Sequence, residues 1–450
     1  MNSRIRNMTE GSPFRLIFTF AMPLMLGNIF QQLYTVVDTM VVGKALGVHA
    51  LAALGASDWL NWMMLGIIQG FTQGFGIRMA QQFGASQTEE LRRTVGLSVV
   101  LSAVSAIFLV FAGQVALEPV LNLLRTPSDI MPGSVLYLRV MFSGVPVVMV
   151  YNLLACVLRS IGDGRTPLQA MIVASFVNII LDLLFVLVFR WGIAGAAAAT
   201  LIAQVCSGVY CWLRIRKLEI LTLERKHFRM DRTKAISLMG LGWPMALQNA
   251  VISIGGMIVQ MVVNEVGVLF IAGFTATNKL YGLLEIAATS YGYSMITYTG
   301  QNLGAGKVRR IRQGQRAAIG ISIITSVVIA AVMILFGRFI LGWFISGTPE
   351  EITQTMEIAY YYLVIMSVCL PVLYILHVTR STVQGMGNTI LPMASGIGEF
   401  VMRTGAALLL PGIVGDSGIF YAEVLAWAGA DLILIPSYFI TVKKAEDSIC

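Results

Sequence analysis

The chain has 450 residues, of which 57% are apolar and 12% charged, against roughly 25% charged in an ordinary soluble domain. This composition excludes a water-soluble enzyme and leaves a membrane protein. The net charge of +8 would suggest a nucleic-acid partner in a soluble chain, so here the placement of the cations decides its meaning.

A span needs about 20 mostly apolar residues to cross about 30 Å of hydrocarbon. Runs of that kind, bounded by charges and by Gly and Pro, predict helices over residues 14–42, 50–77, 94–117, 132–158, 167–189 and 193–213. A second series follows over 235–263, 268–298, 317–337, 357–384, 391–411 and 417–440. Lipid leaves open strand edges unpaired, so helices are the expected spanning element and a β-barrel is not. The expected organisation is an N-lobe over 1–213, a basic linker over 214–234, a C-lobe over 235–440 and a tail over 441–450. The apolar stretch from Phe14 is too long for a cleavable signal peptide and reads as a first span. Cys450 is the last residue, so it does not form a prenylation box. Cys156, Cys206, Cys211 and Cys369 lack metal-ligand spacing and read as packing residues.

With the N-terminus inside, the inner segments hold Arg4, Arg6, Arg15, Arg78, Arg92, Arg93, Arg159 and Arg165. They also hold the eight basic residues from Arg214 to Lys234, then Lys307, Arg309, Arg310, Arg312, Arg316, Arg380, Lys443 and Lys444, which makes 24 of the 31 cations. Lys44, Arg125, Arg190 and Arg338 fall in outer loops, and Arg139, Lys279 and Arg403 within spans. This bias predicts a multi-pass inner-membrane protein with both termini in the cytoplasm. The basic patches then face anionic lipid, and no nucleic-acid partner is expected.

The chain also repeats itself. At an offset of 220 residues, Gly47-Val48 aligns with Gly267-Val268, and Ala52, Ala56 and Leu60 with Ala272, Ala276 and Leu280. Gln81-Gln82-Phe83-Gly84-Ala85 falls on Gln301-Asn302-Leu303-Gly304-Ala305. Pro23 pairs with Pro244 near this offset, and at 225 Pro146 pairs with Pro371, Gly162-Asp163 with Gly387-Asn388 and Pro167 with Pro392. Six spans per half is an even number, so the halves share one orientation and are related by an axis along the membrane normal. Two similar units around a central site suit alternating access, which favours a carrier over a static scaffold.

Several segments carry a further signal. Phe20-Ala21-Met22-Pro23-Leu24, Gln32 to Thr39, Val42-Gly43-Lys44-Ala45-Leu46-Gly47, the Gln81 to Ala85 loop and Gly162-Asp163-Gly164-Arg165-Thr166-Pro167 resemble the multidrug and toxic compound extrusion (MATE) family over nearly the whole chain. The resemblance implies an all-α membrane protein of about twelve helices in two six-helix lobes. It also implies export driven by inward movement of protons or sodium.

Ionisable groups within a bilayer are costly, so those in spans are the functional candidates. Asp38 has a bland alternative as a helix-end residue near Lys44, and Asp182, in the apolar run Ile179 to Val188, has one as a neutral packing acid. Asn178 lies one turn before Asp182 on the same face. Asp38, Asn152, Asn178, Asp182 and Thr200 resemble the N-lobe cation site of the DinF-like bacterial branch. These oxygens can serve a proton or a sodium ion, with protons preferred because two apposed carboxylates in an apolar surround repel. In the second half the aligned positions are Ile258 or Val259 and Ala407. Another branch carries an essential acid eight residues after the position of Pro244, where this chain has Ile252, and that departure puts its kind of sodium coupling in doubt.

Gln32, Tyr34, Met257, Lys279, Glu285, Tyr293 and His377 are the candidates for a substrate cleft, and Glu399 and Arg403, four apart, read as a structural pair. Gly162-x-Gly164 and Gly385-x-Gly387 lack a preceding strand and no Walker loop is present, so neither nucleotide binding nor an enzyme is expected. The sequence therefore predicts a monomeric secondary antiporter without cofactors, exporting amphipathic, cationic organic compounds in exchange for protons. The alternatives are a sodium-coupled exporter, or a flippase of lipid-linked precursors, which needs a cationic cavity although only Lys279 and Arg403 fall well inside second-half spans.

Overall fold

The computed structural model describes residues 5–345 and 347–447; Arg4 and Cys450 lie outside the described residues. Helices account for nearly all of it, and each predicted run is present. They are α1 (Pro13–Leu46), α2 (Val48–Gly84), α3 (Thr88–Leu123), α4 (Met131–Ser143), α5 (Val145–Ser160), α6 (Arg165–Asp182) and α7 (Ile193–Ile215). After the linker come α8 (Arg232–Val266), α9 (Val268–Gly304), α10 (Val308–Leu341), α11 (Pro349–Val368), α12 (Leu370–Gly385), α13 (Ile390–Leu409), α14 (Pro411–Val414) and α15 (Tyr421–Asp447). Among the described residues nine helices are long and apolar enough to cross a membrane, or up to eleven with two bent pairs. The twelfth run, α9, is 37 residues long and carries Lys279 and Glu285.

The bends have a common cause. Pro146 and Pro371 each sit in the first turn of the second helix of a pair, where a missing N–H is tolerated but the preceding helix cannot run on. The resulting angles are 49° between α4 and α5 and 48° between α11 and α12. α6 does not stay α-helical to its expected end but continues as a π-helical stretch, Leu183–Val188, directly after Asp182.

The repeat seen in the sequence reappears in the backbone. Gly162 and Gly387 both have φ of +86°, the left-handed geometry that closes a helix end and favours glycine. The residue after each then supports the start of the next helix. Asp163 Oδ1 accepts from Thr166 N at 3.0 Å, and Asn388 Oδ1 accepts from Leu391 N at 3.3 Å. Elsewhere Thr348 and Glu351 form a reciprocal cap at the start of α11.

Two compact units emerge, one of residues up to Met8 with Met22–Leu247, the other of Thr9–Ala21 with the chain from Gln248 onward. Unit 1 therefore includes the first turns of α8. Gly70 and Gly74 on α2 meet that segment backbone to backbone, and a Cβ on Gly74 would stand 2.8 Å from the Leu241 carbonyl carbon. In unit 2, Lys307 Nζ donates to Thr9 O at 3.1 Å and Arg310 Nη2 to Gly11 O at 2.9 Å, which holds the segment before α1.

The linker is docked on α3 of unit 1. Arg92 donates to Glu219 O at 2.7 Å and to Ile220 O at 3.1 Å. His227 is buried; its Nδ1 accepts from Glu224 N at 2.8 Å and its Nε2 faces Glu89 Oε1 at 3.2 Å. The Nδ1 acceptor role leaves the ring proton on Nε2, which donates to the carboxylate. Hydrogen bonds from Lys226 to Glu224 and Glu89 hold the ammonium above its ordinary pKa.

α10 shows how apolarity is distributed within a span. Its buried face is made largely of small residues, Gly314, Ala318, Ser322, Ser326, Ala330 and Gly337, which allow close helix approach. Ile324, Val327, Val328, Leu335 and Phe339 are each more than half exposed on the other.

Candidate functional site

In unit 1 the polar groups come from α1, α6 and α7. Asp38 on α1 is 7% exposed, and Asn178 and Asp182 on α6 are fully buried. Four-residue spacing places Asn178 and Asp182 on one face of α6, and Asn178 Nδ2 donates to Thr200 Oγ1 on α7 at 3.4 Å. Asp38 Oδ1, Asn178 Oδ1 and both Asp182 carboxyl oxygens are buried without a hydrogen-bond partner. Asp38 and Asp182 lie within electrostatic reach of each other, and among the described residues no basic side chain pairs with either.

Buried polar groups are almost always hydrogen-bonded, and an uncompensated pair of carboxylates in a low-dielectric surround is strongly unfavourable. Four orphaned oxygens on three neighbouring side chains therefore form an acceptor set with no protein donor. Chemically, such a set can take up a proton or a monovalent cation.

The structure does not bring Asn152 into a bond with this set. Its Nδ2 donates to Val148 O at 2.9 Å, one turn back on its own helix, a common fate for an amide within a helix. Tyr34, one of the substrate-cleft candidates, lies beside the carboxyls: it is buried, in hydrogen-bond reach of Gln31 and Gln204, and close enough to Asp38 and Asp182 to feel their charge. Tyr137 on α4 faces the same acids, and Asp58 on α2 acts on Asp38. Sequence reasoning missed Gln204, although its place one turn after Thr200 was the available signal.

Unit 2 has nothing equivalent at the repeated positions, where Val259 and Ala407 are buried. Its polar interior is a charge network instead. Arg380 on α12 pairs with Glu399 Oε2 on α13 at 2.7 Å, Arg403 Nη2 with Glu399 Oε1 at 3.0 Å, and the same Nη2 with Glu423 on α15 at 2.8 Å. Arg403 Nη1 also donates to Ile252 O at 3.1 Å. The pair expected from the Glu399–Arg403 spacing is thus present but is part of something larger. Arg380, counted above among inner-face cations, is instead only 8% exposed, because a carboxylate on the neighbouring helix compensates it inside the unit. Of the remaining cleft candidates, His377 Nε2 and Glu285 Oε1 come together at 3.3 Å. Met257 is buried, Gln32 and Tyr293 are half-buried, and Lys279 is exposed.

The MatE family model matches the chain twice, over residues 23–184 and again over 244–407. The chain belongs to the MatE family. The two matches coincide with the two halves of the repeat, and the expected all-helical, two-lobe membrane fold of multidrug efflux transporters is borne out. Among curated relatives, the probable multidrug resistance protein YpnP of Bacillus subtilis (strain 168) is 30% identical over 92% of each chain. The multidrug export protein MepA of Staphylococcus saprophyticus is 22% identical over 97% of each. A solved outward-facing conformation of a multidrug resistance MATE family transporter superposes with a TM-score of 0.89 at 21% identity, covering 99% of both chains. At that identity the superposition speaks for the MatE fold alone.

Proposed function

We propose that this MatE family chain is a secondary antiporter that exports amphipathic, cationic organic compounds in exchange for protons, with Asp38 and Asp182 of unit 1 as the coupling pair. The observation that carries this reading is the set of orphaned buried oxygens on Asp38, Asn178 and Asp182, with Thr200 bonded to Asn178. A proton on one carboxyl removes the repulsion between them and supplies the missing donor, and its loss restores a negative site that attracts a cationic substrate.

Export of cations also agrees with unit 2. Its two buried arginines are each matched by a glutamate, so they present no positive cavity to a pyrophosphate, and a flippase reading loses its main requirement. The chain is read as a monomer in a bacterial inner membrane; the distribution of its cations supports cytoplasmic termini, and the exposed apolar stripe of α10 is read as lipid-facing. Tyr34 and the Glu285–His377 pair are assigned to substrate contact.

The experiment is uptake of a fluorescent organic cation into proteoliposomes under an imposed pH gradient or an imposed sodium gradient. A pH gradient alone is expected to drive transport. Transport driven by sodium alone, with no response to pH, would reassign the same oxygens as a sodium cage.

A further inference from the structure

The charge network of unit 2 is complete without one of its members. Glu399 gives each carboxyl oxygen to a different arginine, Oε2 to Arg380 and Oε1 to Arg403, and Arg403 serves Glu423 as well. Two cations and two anions are thereby matched. Asp431 on α15 is left over: it is 7% exposed, its Oδ1 is buried without a hydrogen-bond partner, and the charges acting on it are Arg380 and Glu399. Arg380 Nε is likewise buried and unpartnered, yet no ion pair joins Arg380 to Asp431 among the described residues.

Among the described residues, the groups around Asp431 supply no other counterion. α13 brings Glu399 and Arg403, both engaged with each other, and α12 brings Arg380, held by Glu399, and His377, held by Glu285. On its own helix Glu423 is bound to Arg403, and the indole of Trp427 stacks on Tyr281 of α9 at 6.1 Å. α10 brings Arg312, bound to Glu446 at the far end of α15, and Arg316, which acts on Tyr438 toward that same end; α11 meets α15 through Tyr361 and Tyr421, and the turn before α15 adds only the acid Asp416. With Asp431 ionised the network carries one net negative charge, and with a proton on Asp431 it carries none.

We infer that Asp431 is a second proton-binding site of this chain, located in unit 2 and built against Arg380. The proton binds an Asp431 carboxylate oxygen and leaves to water, and Arg380 stays charged throughout as the cation that the ionised carboxylate attracts. The use of this proton in transport rests on the proton-coupled reading above, whereas its binding does not. Loading both sites gives two protons per cycle. At zero membrane potential each coupled proton allows about tenfold substrate accumulation per pH unit, so two allow about a hundredfold.

The test is infrared difference spectroscopy of the purified full-length protein between acid and alkaline pH, reading the carbonyl stretch of protonated carboxyl groups. Asp431→Asn is expected to remove one band, Asp431→Glu to move it, and Asp182→Asn to remove a different one. In liposomes with potassium and valinomycin clamping the potential at zero, Asp431→Asn is expected to lower accumulation from about a hundredfold to about tenfold per pH unit. A spectrum unchanged in both Asp431 variants overturns the inference, and an accumulation ratio that stays at a hundredfold in Asp431→Asn overturns the use of this proton in transport. A spectrum altered by Asp431→Asn but not by Asp182→Asn leaves this site standing and sinks the coupling pair of unit 1.

Discussion

Arg403→Met is the sharpest test of how unit 2 holds buried charge. The guanidinium donates to Glu399 at 3.0 Å, to Glu423 at 2.8 Å and to Ile252 O at 3.1 Å. Methionine has a similar apolar stem, so little volume is lost, but Glu423 is left without its cation and Glu399 keeps only Arg380. Stripping one partner from a buried ion pair costs about 3–5 kcal/mol, since the charge left behind stays desolvated. For a unit of about 200 residues that corresponds to roughly 6–20 °C in apparent melting temperature, measured by heating detergent-solubilised protein and following the surviving peak by size-exclusion chromatography. The double variant Arg403→Met/Glu423→Gln is expected to recover most of the loss, because it removes the stranded charge as well. A drop of less than about 2 °C, or a double variant no better than the single one, would refute the account of the network as mutually compensating.

Three further outcomes are expected. Asp182→Asn abolishes gradient-driven uptake while expression and chromatographic behaviour stay normal, and unchanged uptake at matched protein levels removes Asp182 from the coupling pair. Gly74→Val forces a side chain against the α8 backbone beside Leu241, so it lowers the yield of monodisperse protein by an overpacking cost of about 1–3 kcal/mol; wild-type yield and melting contradict that crossing. His227→Ala frees the linker from Glu89 and from Glu224 N. A loss of about 1.4 kcal/mol there raises the open fraction about tenfold, so tryptic cleavage at Lys226 accelerates by that factor, and an unchanged rate means the linker is held elsewhere.

Much of the fold could be read from the sequence because a bilayer imposes a simple rule of length and apolarity. All twelve runs appear, and the repeat is visible both in paired prolines and in the matching left-handed glycines. The bends at Pro146 and Pro371 were not foreseen: the prolines served as repeat markers, while a proline in a first turn signals a new helix start as much as a continuing one. Asp38, Asn178, Asp182 and Thr200 stood out because each is a polar group in an apolar run. Asn152 had the same appearance but bonds its own helix, a choice between local and distant partners that spacing does not reveal. Arg380 was misplaced because a cation near a predicted span end looks like a loop charge until its partner on another helix, Glu399, is known. Asp431 is, in the sequence, one more acid in an apolar run, and only the geometry shows that the two arginines are already taken.

The way the units share the chain bears on how it is made. Residues Thr9–Ala21 belong with unit 2, and the bond from Lys307 to Thr9 spans 298 positions. At synthesis rates of about 5–20 residues per second, this segment waits roughly 15–60 s for the residues that receive it. During that interval α1 is inserted with its leading turns unpartnered, and anything that lengthens it, such as a slow stretch of translation across the linker, extends the time in which they can find a wrong partner.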